Sequence, residues 1–396
     1  MTKTRGMVTA FAVAFAVVLM AGLAQGGIGL LRSGTTDRGA VSETERVDRS
    51  TAGATSATTV DLKTVSHNIC GGSCNNGQTD KLPYITAEID RYAPHLVMLQ
   101  EVCWSQYQWF KGHAFTSGTY QFEYTPMMTN YAKCAGTGVD CTVNEDSDPN
   151  NNDQRCWVGQ VLGARGVLSN RDEIDLGGER YQIAKDANTG ATRFMPPRDF
   201  TALCYDVALA DLPNRVVKGC STHLRAFQDD RLINQRARTA QAARLASDLD
   251  GDIAQGKIVV VGGDFNSYAF PNLTPAMNAF YRPDAAPGGG WGVFYEADHD
   301  DTAYWTLPAP DCVVGTDTSC RSGESTIVDE SPTITHNTKY DYIFYSETSD
   351  PASLSGKPVP LYLRDAGGKI LLDAEGKYQM VSDHAFYRGL ATVKAS

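Results

Sequence analysis

The stretch "KIVVVGGDFNS", residues 257–267, places an aspartate and an asparagine directly after an apolar run. Ile258 to Val261 have the length and composition of a buried strand, and the two glycines that follow let the backbone turn sharply. Asp264 and Asn266 are therefore predicted to lie where a strand leaves its sheet. Because ligands of layered α/β proteins bind at such strand ends, the stretch predicts one part of a functional site.

Apolar runs of strand length recur from about residue 61 onward, and helical patterns separate some of them. The runs include "LKTVSHNI", "HLVMLQEV", "RVVKGCSTHL" and "KYDYIFYS", and the helical patterns are "YITAEIDRYA" and "QRARTAQAARLASDLD". Strands that alternate with helices favour an α/β fold, and a turn at Leu212 and Pro213 indicates an antiparallel hairpin as well. The sequence therefore predicts two packed, mixed β-sheets flanked by helices rather than an all-parallel barrel.

The N-terminus has the pattern of an export signal. Lys3 and Arg5 precede an apolar run from Met7 to Ala24, and small residues follow it. The run is near the lower length limit for a membrane span, so an uncleaved anchor is the alternative to a cleaved signal peptide over residues 1–24. We expect a secreted protein, or one tethered to a membrane through this segment.

The rest of the chain is predicted to contain a tether and one large catalytic domain. Residues 25–60 are rich in Ser, Thr, Ala and Gly without helical or strand period, which is typical of a flexible tether. The domain is predicted over residues 61–396, with insertions near 127–157 and 283–335.

Ten cysteines, an even number, are typical of an exported protein whose thiols are oxidised. Cys204 and Cys220 lie at equal distances from Leu212 in the predicted hairpin, so we predict a disulfide between them. Three other pairs are close enough in sequence to close small loops: Cys70–Cys74, Cys134–Cys141 and Cys312–Cys320. Cys103 and Cys156 are left as the fifth pair by default. A zinc site is disfavoured because no two CxxC pairs occur.

The formal net charge of −11 argues against a broad basic surface that coats nucleic acid. An acidic enzyme can still bind phosphates when a divalent cation and a few arginines supply positive charge at the site.

Polar residues also stand at the ends of the other apolar runs, and six segments share this feature. In chain order they are Asn68, "QE" at 100–101, "STHL" at 221–224, "GDFN" at 263–266, "YDYI" at 340–343 and "SDH" at 382–384. Taken singly, each has an ordinary explanation as a turn former, a cap or a surface residue. The ordered series resembles the endonuclease/exonuclease/phosphatase superfamily, which includes deoxyribonucleases, abasic-site endonucleases, neutral sphingomyelinases and inositol polyphosphate phosphatases. The resemblance covers about residues 61–396 and implies a four-layer α/β/β/α sandwich.

Hydrolysis of a phosphate ester needs a cation, a base for water and donors that hold the phosphoryl group, and the resemblance implies residues for each. Glu101 is implied as the principal metal ligand. Asn68 and Asp383 would complete a sparse oxygen set suited to Mg²⁺, with Ca²⁺ or Mn²⁺ as alternatives.

The remaining residues would handle water and phosphate. Asp264 is implied as the base that orients or deprotonates the attacking water, with Asn266 beside it. His223 and His384 would donate hydrogen bonds to a nonbridging oxygen, and Asp341 would fix the tautomer of His384. Two arginines are candidates for a phosphate clamp, although either could be an ordinary surface charge: Arg198 and Arg225.

Three functions are weighed on this basis. We favour a nuclease, so nucleic acid is the expected partner ahead of phospholipid, and we expect a monomer. A sphingomyelinase or phospholipase activity, or a phosphomonoesterase activity, is the alternative. Aromatic residues in 269–283 and 288–305 suit a membrane-binding hairpin, but also the core of an insertion, which we prefer. A binding module without activity is disfavoured because the implied site residues are all present.

Overall fold

The computed structural model describes residues 58–135, 141, 154–177, 182–185, 192–195, 200–226, 231–267, 275–284, 290–298, 324–333 and 338–396. The predicted signal and nearly all of the predicted tether lie outside the described residues. Within the described parts, no helix is long and apolar enough to cross a membrane.

The strands, in chain order, are β1 (Thr59–Asn68), β2 (Leu96–Cys103), β3 (Gln121–Met128), β4 (Val158–Ala164), β5 (Val167–Asp175), β6 (Gln182–Lys185), β7 (Thr192–Met195), β8 (Thr201–Ala208), β9 (Val216–His223), β10 (Ile258–Asp264), β11 (Tyr295–Glu296), β12 (Asp341–Tyr345), β13 (Ser355–Val359) and β14 (Phe386–Lys394). The α-helices are α1 (Leu82–Tyr92), α2 (Trp104–Gly112), α3 (Ala132–Ala135) and α4 (Arg231–Ala254). Short 3-10 helices lie at Gln154–Cys156, Pro275–Ala279 and Pro351–Ser353.

Two six-stranded sheets form the centre of the fold, in the orders β13-β14-β1-β2-β4-β3 and β11-β12-β10-β9-β8-β5. In each sheet one pair is parallel, β1 with β2 and β9 with β10, and the other pairs are antiparallel. The predicted pair of mixed sheets flanked by helices is confirmed. Strands β6 and β7 form a separate two-stranded ribbon.

The alternation of side chains along β10 explains the layers. Ile258 and Val260 belong to the core between the sheets, whereas Val259 and Val261 belong to the core that includes α4. All four are fully buried, as a strand covered on both faces requires. The same alternation directs Asp264, at the end of the strand, toward the space between the sheets.

Helices α1 and α2 cover the other sheet. Ile85 and Ile89 of α1 and Phe110 of α2 are buried in one cluster with Val65 and Val97 of the sheet. The spacing of Leu82, Ile85 and Ile89 places all three on one face of α1. At its C-terminal end, Ala93 takes a left-handed conformation (φ 51°), and its N–H donates to the carbonyl of Ile89. Helices therefore lie outside both sheets, so that helices and sheets together form four layers.

Four disulfides lie within the described residues: Cys70–Cys74, Cys103–Cys134, Cys141–Cys156 and Cys204–Cys220. Cys204 faces Cys220 across the antiparallel β8–β9 pair, at the position where the hairpin predicts it. The predicted pairs Cys134–Cys141 and Cys103–Cys156 are wrong. Cys312 and Cys320 lie outside the described residues.

Strand order explains the two wrong pairings. Val158 of β4 pairs with Cys103 at the end of β2 on one side and with Met128 at the end of β3 on the other. The chain that follows β3 therefore starts near Cys103, and Cys134 is the next cysteine along it. A prediction that pairs cysteines by their distance in sequence does not take account of this return of the chain.

Candidate active site

The two sheets bring the predicted residues to a common edge. Asn68 ends β1, His223 ends β9 and Asp264 ends β10, and His223 and Asp264 are register partners. Asp341 begins the antiparallel strand β12, directly opposite Asp264. The amide Nδ2 of Asn68 lies 3.1 Å from Oδ2 of Asp264, so the ends of the two sheets meet in one site.

Glycine at position 263 allows β9 and β10 to approach closely at the site. A Cβ atom on Gly263 would lie only 2.0 Å from the backbone oxygen of Thr222. Any other residue would push the strands apart beside His223 and Asp264. The second glycine of the "GGD" stretch is therefore a packing requirement of the site.

A bulge redirects Glu101 into the site. Its neighbour Gln100 already faces the other sheet, where its Nε2 donates to Oγ of Ser221 (3.1 Å), so strict alternation would send Glu101 to the opposite face. The pairing of β2 with β4 shifts register between Leu99 and Val102, and Glu101 takes a left-handed conformation with φ 55°. Such bulges commonly re-aim a side chain next to an active site.

Asn68 joins the two carboxylates. Its Nδ2 donates to Oε1 of Glu101 (3.2 Å) as well as to Oδ2 of Asp264, and its Oδ1 accepts from the backbone N of Cys70 (2.9 Å). The hydroxyl of Ser382 donates to the backbone oxygen of Asn68 (2.6 Å), which ties the "SDH" segment to the end of β1.

His384 and Asp341 form a buried pair. Nδ1 of His384 lies 2.8 Å from Oδ2 of Asp341, and Nε2 lies 3.8 Å from Oδ2 of Asp264. Burial on its own would favour the neutral imidazole, but the charges of Asp341, Asp264 and Asp383 hold the pKa of His384 well above its ordinary value. These carboxylates therefore favour the protonated imidazole of His384.

His223 contacts the other carboxylate of the site. Its Nδ1 donates to the backbone oxygen of Leu224 (2.8 Å), and its Nε2 lies 3.3 Å from Oε1 of Glu101 and 3.6 Å from Oδ2 of Asp264. The pKa of His223 is raised because these carboxylates outweigh the effect of burial. Burial would raise the pKa of Glu101, yet the hydrogen bond and charge of His223, with the amide of Asn68, lower it to about 2.

Two carboxylates on the open side of the site fit a hard divalent cation. The side chain of Glu101 is 27% exposed and Asp383 is exposed. Loss of hydration in the cleft raises the pKa of Asp383, and the charges of Glu101 and Asp264 raise it further. Carboxylate oxygens that repel each other at an open edge suit Mg²⁺ or Ca²⁺.

A different group, Asp264, Asp341 and His384, brings three ligand atoms within 4.8 Å of one another. It suits a hydrogen-bond network, because Nδ1 of His384 already lies 2.8 Å from Oδ2 of Asp341.

The comparisons with known proteins agree with this geometry. The family model described as "Endonuclease/Exonuclease/phosphatase family" matches residues 65–384, which include all of the strand-end residues above. This chain belongs to the endonuclease/exonuclease/phosphatase family. None of the curated proteins matches the chain.

Solved structures that are similar to this family member share little sequence with it. A Bacteroides thetaiotaomicron endonuclease/exonuclease/phosphatase family protein has a TM-score of 0.50 at 11% identity, covering 85% of this chain and 99% of its own. Truncated TDP2 from Caenorhabditis elegans has a TM-score of 0.47 at 14% identity, covering 84% of this chain and 98% of its own. The catalytic domain of human Nocturnin has a TM-score of 0.42 at 18% identity, covering 85% and 98%.

The remaining predicted residues of this family member lie in different surroundings. The backbone N of Asn266 donates to Oδ1 of Asp264 (2.8 Å), which holds the turn after β10. Arg225 is buried, and its backbone N donates to Oε1 of Gln241 on α4 (3.0 Å), so its contacts in the structure tie the loop to α4. Arg198 lies outside the described residues. The roles of all the predicted site residues stay predictions.

Sequence reasoning missed Thr326, which is fully buried within the predicted insertion. Its Oγ1 accepts from the backbone N of Tyr340 (2.9 Å) and of Asp341 (3.2 Å), and its backbone oxygen accepts from the N–H of Ala385 (2.7 Å). Burial raises the pKa of Asp341, whereas His384 and the Thr326 hydroxyl lower it. Thr326 therefore connects both halves of the Asp341–His384 pair, although its surrounding sequence has no strand or helical period to indicate this.

Proposed function

We propose that this chain is a secreted, divalent-metal-dependent phosphodiesterase and that its substrate is nucleic acid. The observation that carries the proposal is the set of nitrogen atoms around one carboxylate oxygen. Oδ2 of Asp264 has Nδ2 of Asn68 at 3.1 Å, Nε2 of His223 at 3.6 Å and Nε2 of His384 at 3.8 Å. Donors that converge on one point beside a carboxylate are what the attack of water on a phosphate ester requires.

Each side chain then has a defined task. Asp264 holds the attacking water and accepts its proton. The protonated imidazoles of His223 and His384 donate from Nε2 to the nonbridging phosphate oxygens, and Asp341 keeps His384 charged and oriented. Glu101 and Asp383 would hold the divalent cation, which when bound would supply positive charge against the phosphoryl oxygens and the leaving group.

Three rings of the aromatic stretch are buried, which supports the core of an insertion over a membrane-binding hairpin, while Trp291 in the same stretch is 61% exposed. Phe280 and Phe294 are fully buried and Tyr281 nearly so, in one core cluster with Phe265 and Phe344. These rings cannot serve a projecting membrane-binding hairpin, which would need them outside. The described disulfides support export to an oxidising compartment.

The test uses the full chain, exported so that its disulfides form. Plasmid DNA, RNA, sphingomyelin and bis(p-nitrophenyl) phosphate are each incubated with Mg²⁺, Ca²⁺ or EDTA. We expect hydrolysis of polynucleotide and of the aryl diester that requires the cation, with no hydrolysis of sphingomyelin.

Two variants connect that activity to the site. His384→Ala should lower kcat/KM for the aryl diester by about 10²–10⁴-fold, and Glu101→Gln should raise the Mg²⁺ concentration needed for half-maximal activity. His113→Ala, at the C-terminal end of α2, is the matched control and should behave as wild type. Turnover of His384→Ala at the wild-type rate would exclude the assigned role, and cleavage of sphingomyelin alone would move the substrate to lipids.

A further inference from the structure

An eight-residue repeat leads into the catalytic segment. Residues 361–368, 369–376 and 377–384 read "LYLRDAGG", "KILLDAEG" and "KYQMVSDH". Equivalent positions of the three repeats are joined in a ring of backbone hydrogen bonds. The N–H of Leu363 donates to the oxygen of Gln379, that of Gln379 to Leu371, and that of Leu371 to Leu363. We call residues 361–384 the three-armed module, and its third arm ends in Ser382, Asp383 and His384.

The first two arms end in matching turns. The carboxylate of Asp365 accepts from the backbone N of Gly367 and of Lys369, both at 2.9 Å. Eight residues later, Asp373 accepts from the backbone N of Glu375 (3.0 Å) and of Lys377 (2.8 Å). These bonds fix the module locally, so it presents a preformed wall beside the catalytic segment.

A cavity of about 240 Å³ lies between this wall and the segment that contains the Cys70–Cys74 disulfide. Its lining includes Ser382 and Asp383, so it opens directly onto the side of the site that we assign to the cation. The volume is below the range of about 300–1,000 Å³ that is usual for drug-sized ligands. The cavity therefore has room for about one ring.

The lining residues carry both hydrogen-bond donors and hydrogen-bond acceptors next to an apolar surface. The polar lining residues include Lys81, Asp373, Gln379 and Tyr378, and Leu363 is aliphatic. Within the module, Oδ1 of Asp373 accepts from two backbone N–H groups, and Nε2 of Gln379 donates to the backbone oxygen of Leu372 (2.8 Å). Nζ of Lys81 donates to the backbone oxygen of Met380 (2.9 Å), which holds the ammonium in place. Donors and acceptors around an aromatic and aliphatic face complement the hydroxyls and C–H face of a sugar.

We propose that this cavity binds the sugar ring esterified to the scissile phosphate, as in a nucleotide or a hexose phosphate. The inference rests on the proposed phosphoesterase function, because the phosphate must lie at His384 for the ring to reach the cavity. A phosphate that carries no sugar leaves the cavity unused. The three-armed module thereby selects the substrate, while the strand ends carry out the reaction.

The test compares two esters that release the same leaving group, thymidine 5′-(p-nitrophenyl phosphate) and methyl p-nitrophenyl phosphate. We expect Tyr378→Ala and Lys81→Met to lower kcat/KM for the thymidine ester by about 5- to 10-fold each, the effect of one hydrogen bond or ring contact. Both variants should hydrolyse the methyl ester within about twofold of wild type, since the cavity plays no part in that reaction.

The matched control is Leu372→Ala, in the same module but outside the cavity lining, with a side chain that is 49% exposed. This variant should leave kcat/KM unchanged for both esters. Glucose 6-(p-nitrophenyl phosphate), a diester with the same leaving group, separates the two sugar sources: the ester with the larger loss of kcat/KM in Tyr378→Ala carries the natural ring.

The outcomes separate this inference from the proposed function. Equal losses on the thymidine and methyl esters, or no loss on either, would overturn the sugar assignment while leaving the phosphoesterase intact. Wild-type protein that hydrolyses neither ester in the presence of Mg²⁺ would overturn the proposed function itself, and the sugar assignment with it.

Discussion

His67 and His384 are both buried at the same end of the molecule, yet their pKa values move in opposite directions. His67 lies on the outer face of β1, where its Nδ1 donates to the backbone oxygen of Ala385 (3.2 Å) and its ring packs near Phe386. Burial lowers the pKa of His67 to about 3. The pKa of His384 is raised well above the ordinary value, because Asp341 and Asp264 outweigh burial there.

The difference shows how the fold places charge. Burial alone keeps an imidazole neutral, and only carboxylates within hydrogen-bonding reach reverse that preference. Strand register supplies them on one face: Asp341 pairs with Asp264 across β10 and β12, and both point between the sheets. His67, on the opposite face of β1, has a backbone oxygen instead. The positive charge of His384 disfavours protonation of His67 further.

Asp341→Asn removes a charge that distinguishes His384 from His67. Of the variants that test this comparison, it should have the largest effect. The amide keeps the shape of the carboxylate but removes its charge, so His384 becomes a buried imidazole with less electrostatic support, closer to His67. We expect kcat for the aryl diester to fall on the order of 10³-fold, as for other carboxylate–histidine pairs. Steady-state kinetics at saturating Mg²⁺ would measure the effect.

The control for this variant is Asp350→Asn, beyond the far end of β12. There the side chain accepts from the backbone N of Ala352, a bond that asparagine can also make. Wild-type kcat in Asp341→Asn, with Asp350→Asn also unchanged, would show that the charge on His384 does not depend on its buried partner.

Thr326→Val weakens the same pair without touching its charges. Valine has the same shape, but the backbone N–H groups of Tyr340 and Asp341 lose their shared acceptor. We expect kcat to fall about 10-fold with little change in KM, and the free energy of unfolding to fall by about 1–3 kcal/mol. Thr326→Ser retains the hydroxyl and should recover both quantities. If serine and valine gave the same kcat, the hydroxyl would have no positioning role.

Sequence reasoning predicts which polar residues lie at the shared edge of the sheets because that edge follows from strand alternation. The runs that end in Asn68, His223 and Asp264 have apolar residues of strand length, and their polar ends lie together once parallel strands pair. The Cys204–Cys220 bridge follows from the same logic, since two strands around a tight turn must face each other. These features depend on local period and chain order, both of which are visible in the sequence.

Other parts of the site depend on contacts that no local period indicates. The left-handed conformation of Glu101 comes from a bulge between β2 and β4, which only the pairing of those strands creates. Thr326 acts through backbone contacts with residues at 340–341 and 385. The Cys103–Cys134 bridge depends on the order of strands within one sheet.

The neutral His67 should contribute a loss of stability in mild acid, and this is the smallest effect we predict. The folded-state pKa lies below the ordinary value of 6.5, so the unfolded chain takes up a proton first as the pH falls. Stability due to the neutral ring is therefore complete above pH 6.5 and is lost between pH 6.5 and about 3. The loss from His67 is at most about 1.4 kcal/mol per pH unit.

His67→Asn tests this, because the asparagine amide can still donate to the oxygen of Ala385 but does not titrate. Urea unfolding of oxidised protein between pH 6.5 and about 5 should show a shallower loss of stability in His67→Asn than in wild type, by up to about 2 kcal/mol over the range. The raised pKa values of His223 and His384 give a slope of the opposite sign in this range, but that slope is common to both proteins and cancels in the comparison. Identical slopes in His67→Asn and wild type would mean that His67 accepts a proton in the folded protein, and the contrast with His384 would then not arise from the carboxylates.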